Sequence, residues 1–463
     1  MSDAALDLLL PGLTRAMREE SLALLTIGAP AGAMARFLSA PIVGEAMLWE
    51  PAGLECGEAA WAMAGRGAAA RFEASGPDRL RVIRERADAV LDRLEERREP
   101  AAFHAPPPRI FGGASFRTGG DAADSPWAPF GEASFVLPRW VYGERDGAAF
   151  LRLCVPASEL ASPAPLESEI ASVRAALGGP RLVPREPSEK FPAALVEETS
   201  PEAWAAQVGA ALDAIRGAEF SKVVLARRSR VRLPHALDLV LARQRLADHD
   251  PACLRFAMQR GDALFLGATP ERLVELRDDA VVCDALGGSL PRRGDEGGES
   301  ARLLGSAKDR REHQAVVDGI RASLSPLCRS VDSDALPTVR TLKSVHHLHT
   351  PVTGRLGRPA HVLELVAALH PTPAVCGLPR AAAERWIGAN EPAPRGWYAA
   401  PVGWFDLAGE GCFAVGIRSA LVRGTDAWLF AGCGIVDGSD PSLEYSETAA
   451  KQLAMLRALG VAG

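Results

Sequence analysis

The stretch from Trp397 to Lys451 constrains the fold of this chain more than any other. Three β-rich runs, starting at Trp397, Cys412 and Trp428, are separated by Gly- and Asp-containing turns, the pattern of successive antiparallel strands. A helix follows: Asp440 is an N-cap candidate and Pro441 the first helical residue. On that helix Glu444, Glu447 and Lys451 are spaced so that their side chains stack on one face. Just before it, Gly432 and Gly434 let backbone N–H groups approach an anion beside the helix N-terminus. The spacing fits a metal bridging to an anionic ligand. It fits equally a surface helix with a salt bridge from Glu447 to Lys451, and by itself does not choose.

The chain has 463 residues and 48% hydrophobic content, enough to bury a core as one large domain or two ordinary ones. A net charge of −6, with no arginine-lysine block, argues against nucleic acid as a partner. The N-terminal residues carry acids where a signal peptide needs a basic region, and no apolar run is long enough to span a bilayer, so a cytoplasmic protein without a membrane partner is expected. The eight cysteines are scattered without a Cys-x-x-Cys pair, which indicates neither a zinc site nor a redox dithiol.

In chain order, one amphipathic helix is expected before about residue 30, then short strands at Met47–Glu50 and Leu54–Gly57, then a charged amphipathic helix over Asp78–Arg98. From Arg109 the sequence is β-rich and includes a hairpin whose arms, Trp140–Tyr142 and Phe150–Cys154, flank Gly143–Gly147. Pro156 to Pro192, rich in Ala, Pro, Ser and Glu, reads as linker-like and divides residues 1–190 from 195–463. Strands and helices come in runs, without Gly-x-Gly-x-x-Gly, a Walker loop or a fixed-period repeat. That favours α+β architecture with large antiparallel sheets over a doubly wound fold.

Several residues could carry chemistry. Phe220-Ser-Lys-Val-Val-Leu-Ala alternates like a strand and puts Lys222 on an apolar face, where desolvation would tune it toward a base; an edge-strand lysine placed against aggregation fits as well. Glu271 lies at the far side of a strand-turn, as a protonated acid or simply a cap. Gly287 and Gly288 permit close approach of a ligand to the backbone. A long helix from Ala301 to about Ser325 places Glu312 on a stripe with Val316 and Ile320, where a carboxylate needs a cation as partner. His346, His347 and His349 cluster, but adjacent histidines on a strand point oppositely, which speaks against a zinc site.

The order of Phe220-Ser-Lys-Val-Val-Leu-Ala-Arg, Gly267-Ala-Thr-Pro-Glu, Lys308-Asp-Arg-Arg-Glu-His, His347-Leu-His-Thr, His370-Pro-Thr-Pro-Ala-Val, Arg395-Gly-Trp-Tyr, Ile417-Arg and Gly432–Lys451 resembles that of the chorismate-utilising enzymes, and within them the isochorismate synthases. The resemblance implies an α+β fold of two stacked antiparallel sheets flanked by helices, with a magnesium-dependent site for chorismate. It implies that Glu312, Glu444 and Glu447 hold magnesium. Tyr398, Arg418, Lys451 and backbone groups near Gly432 and Gly434 would grip the carboxylates, and His347 would lie along the ring. Lys222 would be the base activating water for attack at ring C2, and Glu271 the acid at the departing C4 hydroxyl.

Aminating relatives lack the lysine at position 222, so the resemblance implies no glutaminase subunit, and a monomer is expected. Salicylate synthases keep that lysine but carry threonine where this chain has Ala374, which leaves salicylate synthase as the alternative. Gly287, Cys376, Ala400 and Cys433 depart from the family's usual residues without removing a catalytic group.

Overall fold

The structure, a computed structural model, describes residues 21–41, 44–51, 60–119, 125–161, 164–180, 182, 194–292 and 294–461. Two long strands, β3 (Ala62–Ala74) and β6 (Ala133–Arg145), pair along their whole length and belong to both of its sheets. Their register shifts between Ala68 and Ala70, opposite Pro138. A bulge and a residue without an N–H at the same level let both strands bend from one sheet into the other.

The first sheet begins with β4 (Leu94–Arg98), which runs parallel to β1 (Leu22–Gly28); every other described pairing is antiparallel. From β1 it continues through β7 (Ala148–Pro156), β6, β3 and β2 (Ala46–Glu50). Next come β10 (Leu254–Arg260), β11 (Ala263–Thr269), β20 (Ser419–Arg423) and β21 (Asp426–Ile435). β9 (Lys222–Arg232) then pairs with β21 on one side and with β8 (Ala194–Glu198) and β17 (Gly377–Leu378) on the other.

The second sheet leaves the other end of β6 through β5 (Arg109–Ala114), β18 (Pro401–Asp406), β19 (Gly411–Val415) and β12 (Arg272–Arg277). It ends with β13 (Ala280–Pro291), β16 (Val345–Leu356) and, along the outer edge of β16, β14 (Cys328–Ser333) and β15 (Thr338–Thr341). Aromatic rings join the sheets: Phe265 of β11 meets Trp397, which leads into β18, edge-on at 6.5 Å.

Helices cover both outer faces, so the layers are helix, sheet, sheet, helix. Against the first sheet lie α1 (Met34–Leu38), α3 (Ala164–Gly178), α5 (Leu239–His249) and the C-terminal part of α10 (Pro441–Ala458). Against the second lie α2 (Arg79–Leu91), α7 (Ala307–Leu324) and α8 (Val362–Leu369). Two more, α4 (Pro201–Arg216) and α9 (Arg380–Asn390), pack on β9, and α6 (Glu296–Gly305) packs on β16. The expected α+β architecture of two antiparallel sheets between helices is what the chain adopts.

Local expectations fared unevenly. Leu22–Gly28 is a strand, not the end of a helix, while residues 1–20 and Leu54–Gly57 lie outside the described residues. The charged helix stops at Leu91 and the chain turns into β4. The linker-like stretch contains α3, which buries Leu166, Ile170, Val173 and Leu177. Strands from before residue 190 and after residue 195 share both sheets. The long helix starting at Ala301 is two helices, divided at Ser306, whose hydroxyl caps α7 by accepting from Asp309 N.

Candidate active site

At one end of the sandwich the ends of β9, β13 and β21, the turn after β11 and helices α7 and α10 enclose a cavity of about 680 Å³. It is lined by Lys222, Glu271, Glu312, His347, Ala374, Tyr398, Arg418, Gly432, Gly434, Glu444, Glu447 and Lys451, every residue that the sequence nominated, together with Gly287 and Cys433. Of the other departures, Cys376 and Ala400 are buried and do not line it.

Lys222 is 4% exposed and points into the cavity with Val224 and Ala226, so β9 keeps the expected alternation. β9 is flanked on both sides, which removes the reading of Lys222 as an edge-strand guard. The ammonium is not alone: Nζ lies 2.9 Å from Glu312 Oε1. Gly434 makes this contact possible, since a Cβ there would fall 2.8 Å from Glu312 Oε1 and 3.0 Å from Lys222 Cε.

Glu271 is equally buried, in the turn between β11 and β12, and caps no helix. Burial and the neighbouring Asp284 carboxylate push its carboxyl up to about 8, against the pull of Arg340 and Lys222. It is therefore a protonated acid at neutral pH. Glu312 is the opposite case. Burial acts to raise it, but Lys222, Lys451 and Lys308 outweigh burial and hold it below the usual carboxylate range.

Helix α10 begins as expected, with Asp440 accepting from Ser442 N and Leu443 N at 2.9 and 3.0 Å and Pro441 at the first position. Its first turns carry Glu444, Glu447 and Lys451 to the cavity wall. Lys451 Nζ lies 2.5 Å from Glu447 Oε1 and donates to the carbonyl of Gly432 at 3.0 Å. The i,i+4 ion pair thus exists, but inside the cavity and not on open surface. Burial, then the charge of Glu447, raises the Glu444 carboxyl.

Arg418 and His347 also line the cavity. Burial and the nearby guanidinium hold the His347 imidazole far below its ordinary value, so the ring is neutral. Nε2 then accepts from Arg418 Nη2 at 3.3 Å, and Nδ1–H donates to Ser289 Oγ at 2.9 Å. His346 points away and meets the buried Glu299, as expected for neighbours on a strand. Tyr398 stacks on Phe430 at 5.1 Å.

The cavity therefore places cations, carboxylates, a neutral imidazole and a protonated carboxyl around one space. Among the described residues no three His, Cys, Asp or Glu side chains close into a ready-made metal cage. Glu312, Glu444 and Glu447 nevertheless fit a hard, oxygen-seeking cation: all are carboxylates lining the one cavity, and burial together with the neighbouring Glu447 charge raises the Glu444 carboxyl, a cost that a bound cation would offset. Sequence reasoning gave no role to Lys308, Ser289 or Asp284. Lys308 was detectable, since it lies one helical turn before Glu312. Ser289 and Asp284 act through strand pairing, which local spacing does not reveal.

A model of the family described as Chorismate binding enzyme matches residues 30–460. The salicylate biosynthesis isochorismate synthase of Pseudomonas aeruginosa is 40% identical over 368 residues, covering 77% of this chain and 75% of that protein. The isochorismate synthase MenF of Bacillus subtilis is 34% identical over 395 residues, 79% of each. Among solved structures, MenF, the menaquinone-specific isochorismate synthase from Escherichia coli, matches with a TM-score of 0.76 and 25% identity over 98% of this chain and 99% of that one. Anthranilate synthase component I from Streptococcus pneumoniae shares the fold, with a TM-score of 0.63 and 21% identity over 75% of this chain and 81% of that one.

Proposed function

The chain belongs to the chorismate binding enzymes, and we propose that within them it is an isochorismate synthase, an isomerase that adds water at ring C2 of chorismate and expels the C4 hydroxyl. The observation that carries this reading is that Lys222 and Glu271, a buried basic side chain and a protonated carboxyl, line one cavity. Lys222, acting as the neutral amine, takes a proton from the water that adds at C2 and becomes the ammonium. Glu271 gives its proton to the C4 hydroxyl, which leaves as water while the ring double bond shifts.

Chorismate is a dicarboxylate, and the cationic groups Arg418 and Lys451, with the Tyr398 hydroxyl and the backbone at Gly432 and Gly434, would bind its two carboxylates; that all of them line the one cavity supports this. Neutral His347 lies along the ring without adding charge. Glu312, Glu444 and Glu447 would hold magnesium, which when bound supplies charge neutralisation and orientation of the ring carboxylate. Glu312 then has two claimants, that cation and the ammonium of Lys222. The reading includes a monomer working in the cytoplasm, without a glutaminase subunit.

The test is product analysis. Purified protein with chorismate and magnesium, and no ammonium, should form isochorismate reversibly by chromatography, and EDTA should abolish it. An aminated product requiring ammonia, or salicylate and pyruvate as the main products, would sink the assignment.

A further inference from the structure

Glu271 stands in a turn, yet every peptide group around it is held. Its own N–H donates to Thr269 Oγ1 at 3.3 Å and its carbonyl accepts from Val415 N at 3.0 Å. One residue earlier, the carbonyl of Pro270 accepts from Arg340 Nη1 at 2.5 Å. One residue later, the N–H of Arg272 donates to Asp284 Oδ2 at 3.4 Å. Arg340 and Asp284 close the circle, Nη1 to Oδ2, at 3.4 Å. Asp284 is 2% exposed and also meets His349 Nε2 at 2.9 Å and Arg272 Nη2 at 3.4 Å. None of these four side chains lines the cavity.

We infer that Asp284 and Arg340 are a positioning pair for the reaction: they clamp the peptides on either side of Glu271 and so aim its carboxyl into the cavity, without touching substrate. This rests on Glu271 being the acid proposed above. A buried carboxylate behind an acid favours the neutral form, and a guanidinium favours the charged one, so the two members of the pair act on Glu271 in opposite senses. The charged groups facing Glu271 are Asp284 of β13, Arg340 of β15 and Lys222 of β9; Thr269 and Val415, which hold its backbone, bring none. A mobile carboxyl would also lose alignment with the departing hydroxyl, where small misplacements cost large factors in rate.

The opposite signs make the test. The alkaline limb of kcat/KM reports loss of the acid's proton in the free enzyme. Asp284→Asn should move that limb to lower pH and Arg340→Gln to higher pH, each by roughly one pH unit. In both, kcat should fall about tenfold with KM within threefold of wild type. Arg340→Lys, which keeps the charge, should restore the limb while kcat stays low. Both limbs unmoved, or both moved the same way, would overturn the pairing even if activity fell. Should Asp284→Asn not fold by thermal melt, the two Arg340 variants decide alone. Glu271→Gln is the control: a rate within tenfold of wild type would overturn the acid reading and this one with it, whereas a lost rate with unmoved limbs would remove only the positioning pair.

Discussion

Lys222 and Glu271 were both legible in the sequence, but for incomplete reasons. Alternation on β9 and the apolar neighbours pointed Lys222 inward; the partner it finds there, Glu312, comes from a helix some 90 residues later, and only the fold brings the two within 2.9 Å. If Lys222 is the base, Lys222→Ala should lower kcat ~10²–10⁴-fold while chorismate binding by calorimetry survives; a drop under tenfold contradicts the role. Gly434→Ala adds a methyl 2.8 Å from Glu312 Oε1 and should weaken the site as a whole, read as a fall in kcat/KM at unchanged secondary structure. Glu271 also leaves a mark on stability. Its folded carboxyl holds a proton up to about pH 8, whereas the unfolded chain releases it at about 4.3, so the folded state binds more protons between these limits. The contribution is full below the lower limit and declines as pH rises toward 8. Glu271→Gln should flatten that part of the curve of Tm against pH. Ala374 faces the cavity, and threonine there would add bulk beside the ring. Ala374→Thr should shift product toward salicylate and pyruvate, measured by a lactate dehydrogenase-coupled assay on both proteins.

At the scale of elements, the segment from β18 to α10 read cleanly because each strand is bounded by turn residues and the helix carries both its start signals, Asp440 and Pro441. The N-terminal expectation failed where Leu22–Gly28, a short apolar run, carries no period that separates helix from strand. The break at Ser306 was missed because a serine inside a helical pattern is as easily a passenger as a cap. The cap on α10 is functional in its consequence: it fixes the turn from which Glu444 and Glu447 reach the cavity. Asp440→Ala should cost about 1 kcal/mol of stability in a denaturant melt. It should also raise the magnesium concentration needed for half-maximal activity, and an unchanged requirement would separate the cap from the site.

On the scale of the whole molecule, both sheets converge on the cavity because the β3 and β6 pair feeds each of them. Chemistry-bearing residues far apart in sequence, Lys222 on β9 and Glu271 beside β12, thereby face one space. Which strand pairs with which was not legible, since non-local pairing leaves no periodic trace; the class of architecture was, because runs of strands without βαβ alternation admit few layer plans. In this mechanism the oxygen at C2 of the product comes from water activated beside Lys222. The most direct test is turnover of chorismate with magnesium in water enriched in oxygen-18, stopped early and read by mass spectrometry. The expected product is isochorismate two mass units heavier, with the label at C2, and no labelled product from Lys222→Ala. Unlabelled isochorismate from the wild-type protein would mean that the hydroxyl migrates within the substrate, and would contradict it.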